Sequence, residues 1–351
     1  MEELLPKDHE NIPPVDLGPT VEPEQHGFAP EQMVACEKCE RTNPPTRTNC
    51  IYCGAPFPFD EERAELRKPE LRPLEAWEHG YNVVTTPCTF ELSPDQLGQL
   101  TALLKISMEV MFEILCFRGQ LPLACAATEE EARLVAKRVK KYGLGALVIT
   151  DVDLALNDFP PLRTRLMKIT EEGLLAQPTG GDPPVFIEWV EVELLVVGTL
   201  LRKSVEFLER KGGRQDGEIV DVSETFGDEE VVDIYWRGSK ANLRILAKSF
   251  DFSCLGSTKS LFSSENFHNL VLVIQSRAPH AIVDDSYHRA RRALEHVWGS
   301  TKVTQSRGLR RERPGKLTVG AVTEISNEKQ FTRYSRLLNY IQQHAKTDEA
   351  A

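Results

Sequence analysis

A chain of 351 residues with 41% hydrophobic and 27% charged side chains is long enough for two or three domains, each burying its own core. Its formal net charge of -11 argues against a protein that wraps nucleic acid over its whole surface. The longest apolar runs, such as LLVVGTLL at 194–201, are too short to span a membrane, and MEELLPKDHE lacks the basic and apolar regions of a secretory signal, so a cytoplasmic protein without membrane contact is expected.

Residues 1–32 contain eight acidic residues against the single Lys7, several prolines and no apolar period, which reads as a disordered acidic tail. A cysteine cluster follows at 33–58, then a charged, proline-broken linker at 59–80. Order is expected to resume at 81–155. NVVTTP (82–87) is β-branched and strand-like. Ser93, Pro94 and Gln96 form a helix start with a capping box, and Leu97, Leu100 and Leu104 share one face of that helix. EVMFEILCF (109–117) and QLPLACAA (120–127) read as a β-hairpin across Arg118-Gly119. Thr128 and Glu131 form a second capping box. Ala132, Val135, Val139 and Tyr142 line the buried face of that helix, and Gly143 is placed to end it in a left-handed conformation. ALVITD (146–151) is another strand. The order β-α-β-β-α-β is the ferredoxin-like pattern, and its second half resembles small ferredoxin-like modules such as SPOR domains.

Residues 156–184, with several prolines and the turn PTGGDPP, read as a second linker. A larger α+β domain is expected at 185–345, giving an α+β fold class for the whole chain. Val190, Val192, Leu194 and Val196 alternate with Glu191 and Glu193, the pattern of a strand buried on one side. EVVDIYW (230–236) and NLRILAKSFDF (242–252) flank the turn RGSK. Phe267, Leu270, Val271 and Ile274 form one helical stripe. Tyr287, Arg291, Leu294 and Trp298 form the next, with Asp284 or Asp285 as cap. KLTVGAVTEIS (316–326) is a strand, and Phe331, Tyr334, Leu338 and Ile341 mark a last helix.

The chemistry is most specific in CEKCERTNPPTRTNCIYCGAP (36–56). Cys36, Cys39, Cys50 and Cys53 are spaced CxxC-x10-CxxC. Each pair can present two thiolates to one metal from a tight turn, and the ten-residue loop returns the second pair to the first. The segment resembles the short zinc ribbon of bacterial and archaeal proteins, CxxCG-x-x-NPP-x4-CxxCGAP. Asn43, Pro44, Pro45, Gly54, Ala55 and Pro56 match that pattern, and Glu40 stands where it has glycine. The resemblance implies one structural Zn2+ held by the four cysteines. It overlaps the Ran-binding-protein type of zinc finger, but Met33-Val34-Ala35 lacks the preceding tryptophan. Glu40-Arg41 replaces the Thr-Phe pair that some of those fingers use for ubiquitin. Cys88, Cys116, Cys125 and Cys254 are scattered and read as buried free thiols.

Three further constellations each have two readings. Arg289, Arg291, Arg292, Lys302, Arg307, Arg310, Arg311, Arg313 and Lys316 form a basic strip within 286–316. It is either a polyanion-binding patch or a solvated helix face and surface loop that the acidic tail could pair with. His280, Asp284, Asp285 and His288 form a metal or acid–base site, or else helix caps with surface histidines. QFTRYSRLLNY (330–340) stacks bases, or buries its aromatics and leaves its arginines in water. No phosphate-loop, dinucleotide, serine-hydrolase, zincin or kinase motif is present. The expected function is a zinc-binding, non-enzymatic regulatory adaptor whose partner is another protein. The alternatives are a nucleic-acid-associated protein using the ribbon and the basic strip, and an enzyme with its site in the C-terminal domain.

Overall fold

A computed structural model describes residues 28–58, 66–75, 78–86, 92–156, 158–211, 219–313 and 316–350. The acidic tail up to residue 27 and much of the 59–80 linker lie outside the described residues. The ribbon segment carries two short paired strands, β1 (Val34–Ala35) and β2 (Thr42–Asn43). β3 (Tyr81–Thr85) then opens a small α/β module, followed by α1 (Pro94–Leu104), α2 (Met108–Phe117), β4 (Pro122–Ala126), α3 (Glu129–Lys141) and β5 (Ala146–Thr150). Ser93 accepts the Gln96 amide and Gln96 returns the bond, so the first capping box forms as expected. Gly143 ends α3 with φ +92°.

The run 109–117 is a helix, not a strand. Ser107 caps it by accepting the Val110 amide at 3.3 Å. Met111 and Ile114 face the core, while Met108 and Phe112 lie one turn apart on the exposed side. The module is therefore β-α-α-β-α-β, with a three-stranded sheet in the order β4-β3-β5 and both outer strands antiparallel to β3. β4, α3 and β5 form a split βαβ unit around β3, and the ferredoxin-like order expected for 81–155 is not met.

The stretch 156–184, expected to be a linker, supplies two strands of a large curled sheet: β6 (Leu162–Ile169) and β7 (Gly173–Pro178). β8 (Val185–Glu188), β9 (Val192–Lys211), β10 (Ile219–Trp236) and β11 (Leu243–Leu246) follow. After α4 (Ser263–Arg277), β12 (Ile282–Asp284) and α5 (Tyr287–Leu294) come β13 (Thr301–Arg313), β14 (Lys316–Ser326) and the long helix α6 (Glu328–Ala350). The strand order is β13-β14-β9-β10-β11-β6-β7-β8, with β12 beside the start of β9. Gly173 is fixed by contact: a Cβ there would sit 2.2 Å from the Ile187 carbonyl oxygen of β8.

Val190 lies in a 3-10 turn and is exposed, so the alternation expected across 190–196 begins only at β9. There the strand is buried on both faces, not one. Leu194, Val196 and Leu200 belong to a core shared with α5, α6 and the N-terminal module. Leu195, Val232 and Ile234 face a second core under Phe267, Leu270 and Ile274 of α4. A strand buried on both sides needs apolar residues at every position, which removes the period-two signal.

α6 brings buried polar chemistry to the first core. Arg244 forms two 2.8 Å bonds to Asp233, and Ser335 donates to the same carboxylate at 2.8 Å. Arg333 donates to both oxygens of Asp151 at 2.7 and 2.9 Å. Arg336 is buried and donates to the carbonyls of Lys240 and Phe159. Phe331 and Tyr334 are buried as expected, but these two arginines do not point into water. A helix bound this way is not a base-stacking surface.

Candidate metal centre

Each CxxC pair closes a tight turn. The Cys36 carbonyl accepts the Glu40 amide at 2.7 Å, and the Cys50 carbonyl accepts the Gly54 amide at 2.9 Å. Both turns require a left-handed residue, and they have it: φ is +59° at Glu40 and +72° at Gly54. Glycine adopts that conformation freely. Glu40 does so at a cost of about 1 kcal/mol, which makes its departure from the ribbon pattern a locally strained one.

The two turns are brought together by the β1–β2 ladder, by an isolated bridge between Asn49 and Pro56, and by Asn43. Asn43 is fully buried. Its Nδ2 donates to the Arg41 carbonyl at 2.8 Å and to Cys50 Sγ at 3.5 Å, and its Oδ1 accepts the Ile51 amide at 2.9 Å. The Tyr52 amide also points at Cys50 Sγ, 3.4 Å away. Phe57 packs against Cys36 and Cys50 as the one large side chain of this small core.

The four sulfurs converge. Cys36 lies 3.6 Å from Cys53 and Cys39 3.6 Å from Cys50, and all four Sγ atoms fall within 4.8 Å of one another. A tetrahedral zinc site with bonds of about 2.3 Å has sulfur–sulfur edges of about 3.8 Å. The donor set can therefore hold a metal ion such as zinc. The thiols also differ sharply. Burial opposes the Cys50 thiolate, but the Tyr52 and Cys53 amides, Cys39 and Asn43 favour it and draw the group down to about 6. At Cys39 the Arg41 amide favours the thiolate, but burial and the other three sulfurs oppose it and push the group up to about 12. Four close sulfurs cannot all carry charge without a cation between them.

The ribbon is tied to the α/β module by the strap 66–75. The Lys68 amide donates to Thr46 O at 3.2 Å, and Arg67 donates to Pro58 O at 2.7 Å. On the other side, buried Glu131 accepts the amides of Glu70 and Leu71 at 2.6 and 2.8 Å. Thr128 still caps α3, but the expected return bond from Glu131 is given to the strap instead. The strap forms one wall of a cavity of about 510 Å³ whose other walls include Cys125, His296 and Arg333. Sequence reading passed over His296. Its ring nitrogens lie 2.6 Å from Ala293 O and 3.1 Å from Leu123 O, joining the end of α5 to β4, and burial depresses its pKa.

The other candidate residues are dispersed. Arg289 and Arg292 are exposed and Arg291 half-buried on α5, where Arg292 pairs with Glu109 and Glu113 of α2 at 2.6 and 3.0 Å. Lys302 and Arg307 lie on β13, and Arg307 pairs with Glu206 at 2.8 Å. Arg310, Arg311, Arg313 and Lys316 sit at the far end of the β13–β14 hairpin. The basic residues thus lie on three elements, α5, β13 and β14. Asp284 accepts from Ser286 and Tyr334, His288 contacts the Asp285 carbonyl, and His280 is exposed. Among the described residues, these four do not form a metal-ligand cluster; the four ribbon cysteines do. Cys125 and Cys254 are partly buried, Cys116 is exposed against expectation, and Cys88 lies outside the described residues. Among the described residues no helix is long and apolar enough to cross a membrane. Compared with protein-family models, curated proteins and solved structures, the chain has no match.

Proposed function

We propose that the protein is a non-enzymatic, cytoplasmic zinc-binding adaptor acting through protein–protein contacts, with Cys36, Cys39, Cys50 and Cys53 holding one structural Zn2+. One observation carries this reading. The four sulfurs form a closed set, while Ile51 and Tyr52, between the last two cysteines, remain 52% and 53% exposed. Four thiolates leave no coordination position for water, so the metal's work is to fix the turn. A fixed turn holds two bulky apolar side chains in solvent, an arrangement that suits a partner surface better than it suits the free protein. Arg41 lies over the Tyr52 ring, 4.9 Å from its centroid, and restricts that ring further.

The test combines metal analysis with partner capture from the native host. One zinc per chain is expected. The double substitution Ile51→Ala and Tyr52→Ala should retain the zinc and lose specific co-purifying proteins. A native protein without zinc, or an unchanged set of partners in the double variant, refutes the reading.

A further inference from the structure

The cavity of about 510 Å³ beside the strap falls within the size range of small-molecule sites, about 300–1,000 Å³. Part of its wall is apolar. Leu104 at the end of α1, Leu123 of β4 and Trp298, just past α5, are buried side chains that border it, and Ile106 borders it from the loop after α1. The two wall groups suited to covalent or acid–base chemistry are disarmed. Burial, helped by the Asp151 charge, pushes the Cys125 thiol up to about 12, which leaves almost no thiolate at neutral pH. Both ring nitrogens of His296 face backbone carbonyls, at 2.6 and 3.1 Å, so neither is offered to a ligand. These features suit holding a molecule rather than changing it.

The charged part of the wall is mostly cationic. Arg72, Lys105, Lys329 and Arg333 line it against Glu75 and Glu78. Arg72 and Glu78 satisfy one another, at 2.7 Å between Nη1 and Oε2, and Lys105 donates to the Glu70 carbonyl. Lys329 and Arg333 are left for other work. They stand four residues apart on α6, one turn from each other on the same side of the helix. Lys329 is exposed, and its side chain makes no hydrogen bond or ion pair among the described residues. Arg333 gives two N–H groups to Asp151, at 2.7 and 2.9 Å, and its fork carries further donors. With Asp151 included, four cations meet three carboxylates, an excess of one positive charge. That sign is opposite to the chain's net charge of -11.

We propose that the cavity binds a small organic monocarboxylate, its anionic group between Lys329 and Arg333 and its apolar body against Leu104, Leu123 and Trp298. A guanidinium meets a carboxylate in plane, and the ammonium one turn away adds a second charge-assisted bond. The single excess charge matches a monoanion better than a phosphate dianion, whose second charge would enter the cavity unpaired. An inorganic anion would leave the apolar wall uncovered, and an uncharged hydrocarbon would gain nothing from Lys329. The site adds a small-molecule ligand to the adaptor reading and does not depend on it.

The experiment is equilibrium dialysis of the full-length zinc-loaded protein against four probes: phenylbutyrate, octanoate, phenylbutanol and inorganic phosphate. Each acid should fill one saturable site per chain, about tenfold or more tighter than phenylbutanol or phosphate. Lys329→Gln removes an exposed charge that holds no other residue, so zinc content and circular dichroism should match the parent protein. It should weaken both acids about tenfold and leave phenylbutanol unchanged. Ile106→Trp places an indole in the cavity and should abolish binding of the acids. The proposal is overturned by the absence of saturable binding of both acids, by phenylbutanol or phosphate binding as tightly as the acids, or by unchanged acid binding in either variant. The substitutions leave Ile51, Tyr52 and the cysteines untouched, so this proposal and the adaptor reading can fail separately.

Discussion

Replacing Asn43 with alanine tests whether the two cysteine turns form one unit. The side chain is fully buried and makes two strong bonds, at 2.8 Å to the Arg41 carbonyl and 2.9 Å from the Ile51 amide, with a weaker third to Cys50 Sγ. At about 1 kcal/mol for each strong bond and up to about 1 kcal/mol for the third, the loss is about 2–3 kcal/mol. A module with so small a core folds only as it binds metal, so the loss should appear in zinc affinity. That corresponds to about 30- to 150-fold weaker binding. Supporting shells of metal ligands give a similar range, about 10- to 100-fold. The assay is competition for zinc against a chromophoric chelator at neutral pH, with the full chain. Affinity within threefold of the parent protein would mean that Asn43 does not couple the two turns, which refutes the coupling.

Three further outcomes are expected. A strong chelator should unfold 33–58 and leave the later elements folded, so amide exchange should quicken in the ribbon while β3 and β9 stay protected; loss of protection throughout would contradict this. Asp233→Ala leaves the buried Arg244 guanidinium without its bidentate partner and should cost about 3–5 kcal/mol in urea unfolding, whereas Asp233→Leu with Arg244→Met should recover most of that. A double variant no more stable than the single one would reject the argument. Burial raises the pKa of Tyr235, Tyr287 and Tyr334 above the ordinary phenol value of about 10. The folded chain therefore holds protons that the unfolded chain releases, and stability present below pH ~10 should fall as pH rises beyond it. Absorbance at 295 nm should show these three rings ionising only as the fold is lost; early titration of all the tyrosines with intact circular dichroism would refute this.

Local signals in the sequence were reliable wherever local chemistry decides the outcome. Ser93, Pro94 and Gln96 start a helix because their bonds close within one turn, and Gly143 ends one because only its own backbone angle is at issue. The spacing of Cys36, Cys39, Cys50 and Cys53 predicted convergence because two turns and a short loop suffice to produce it. Signals failed where the partner is distant. Glu131 spends its carboxylate on a strap 60 residues away, so half of the second capping box is missing. EVMFEILCF is apolar on nearly every side, and such a run fits a strand as well as a helix until its neighbours are known. Arg333 and Arg336 looked solvent-bound because their acceptors, Asp151, Lys240 and Phe159, lie up to 182 residues earlier. The proline-rich stretch 156–184 concealed β6 and β7 because β6 pairs with β11, which comes much later in the chain.

The core completed by Phe331, Tyr334 and Leu337 also contains Val83 and Val84, about 250 residues upstream. Ribosomes add about 5–20 residues each second, so the small module waits between roughly ten and fifty seconds, with part of its apolar surface in water, before its last wall is synthesised. During that interval a nascent chain depends on chaperones or on slow collapse, and a premature stop codon just before Asn327 would yield a product with all fourteen described strands present yet without the helix that closes the core.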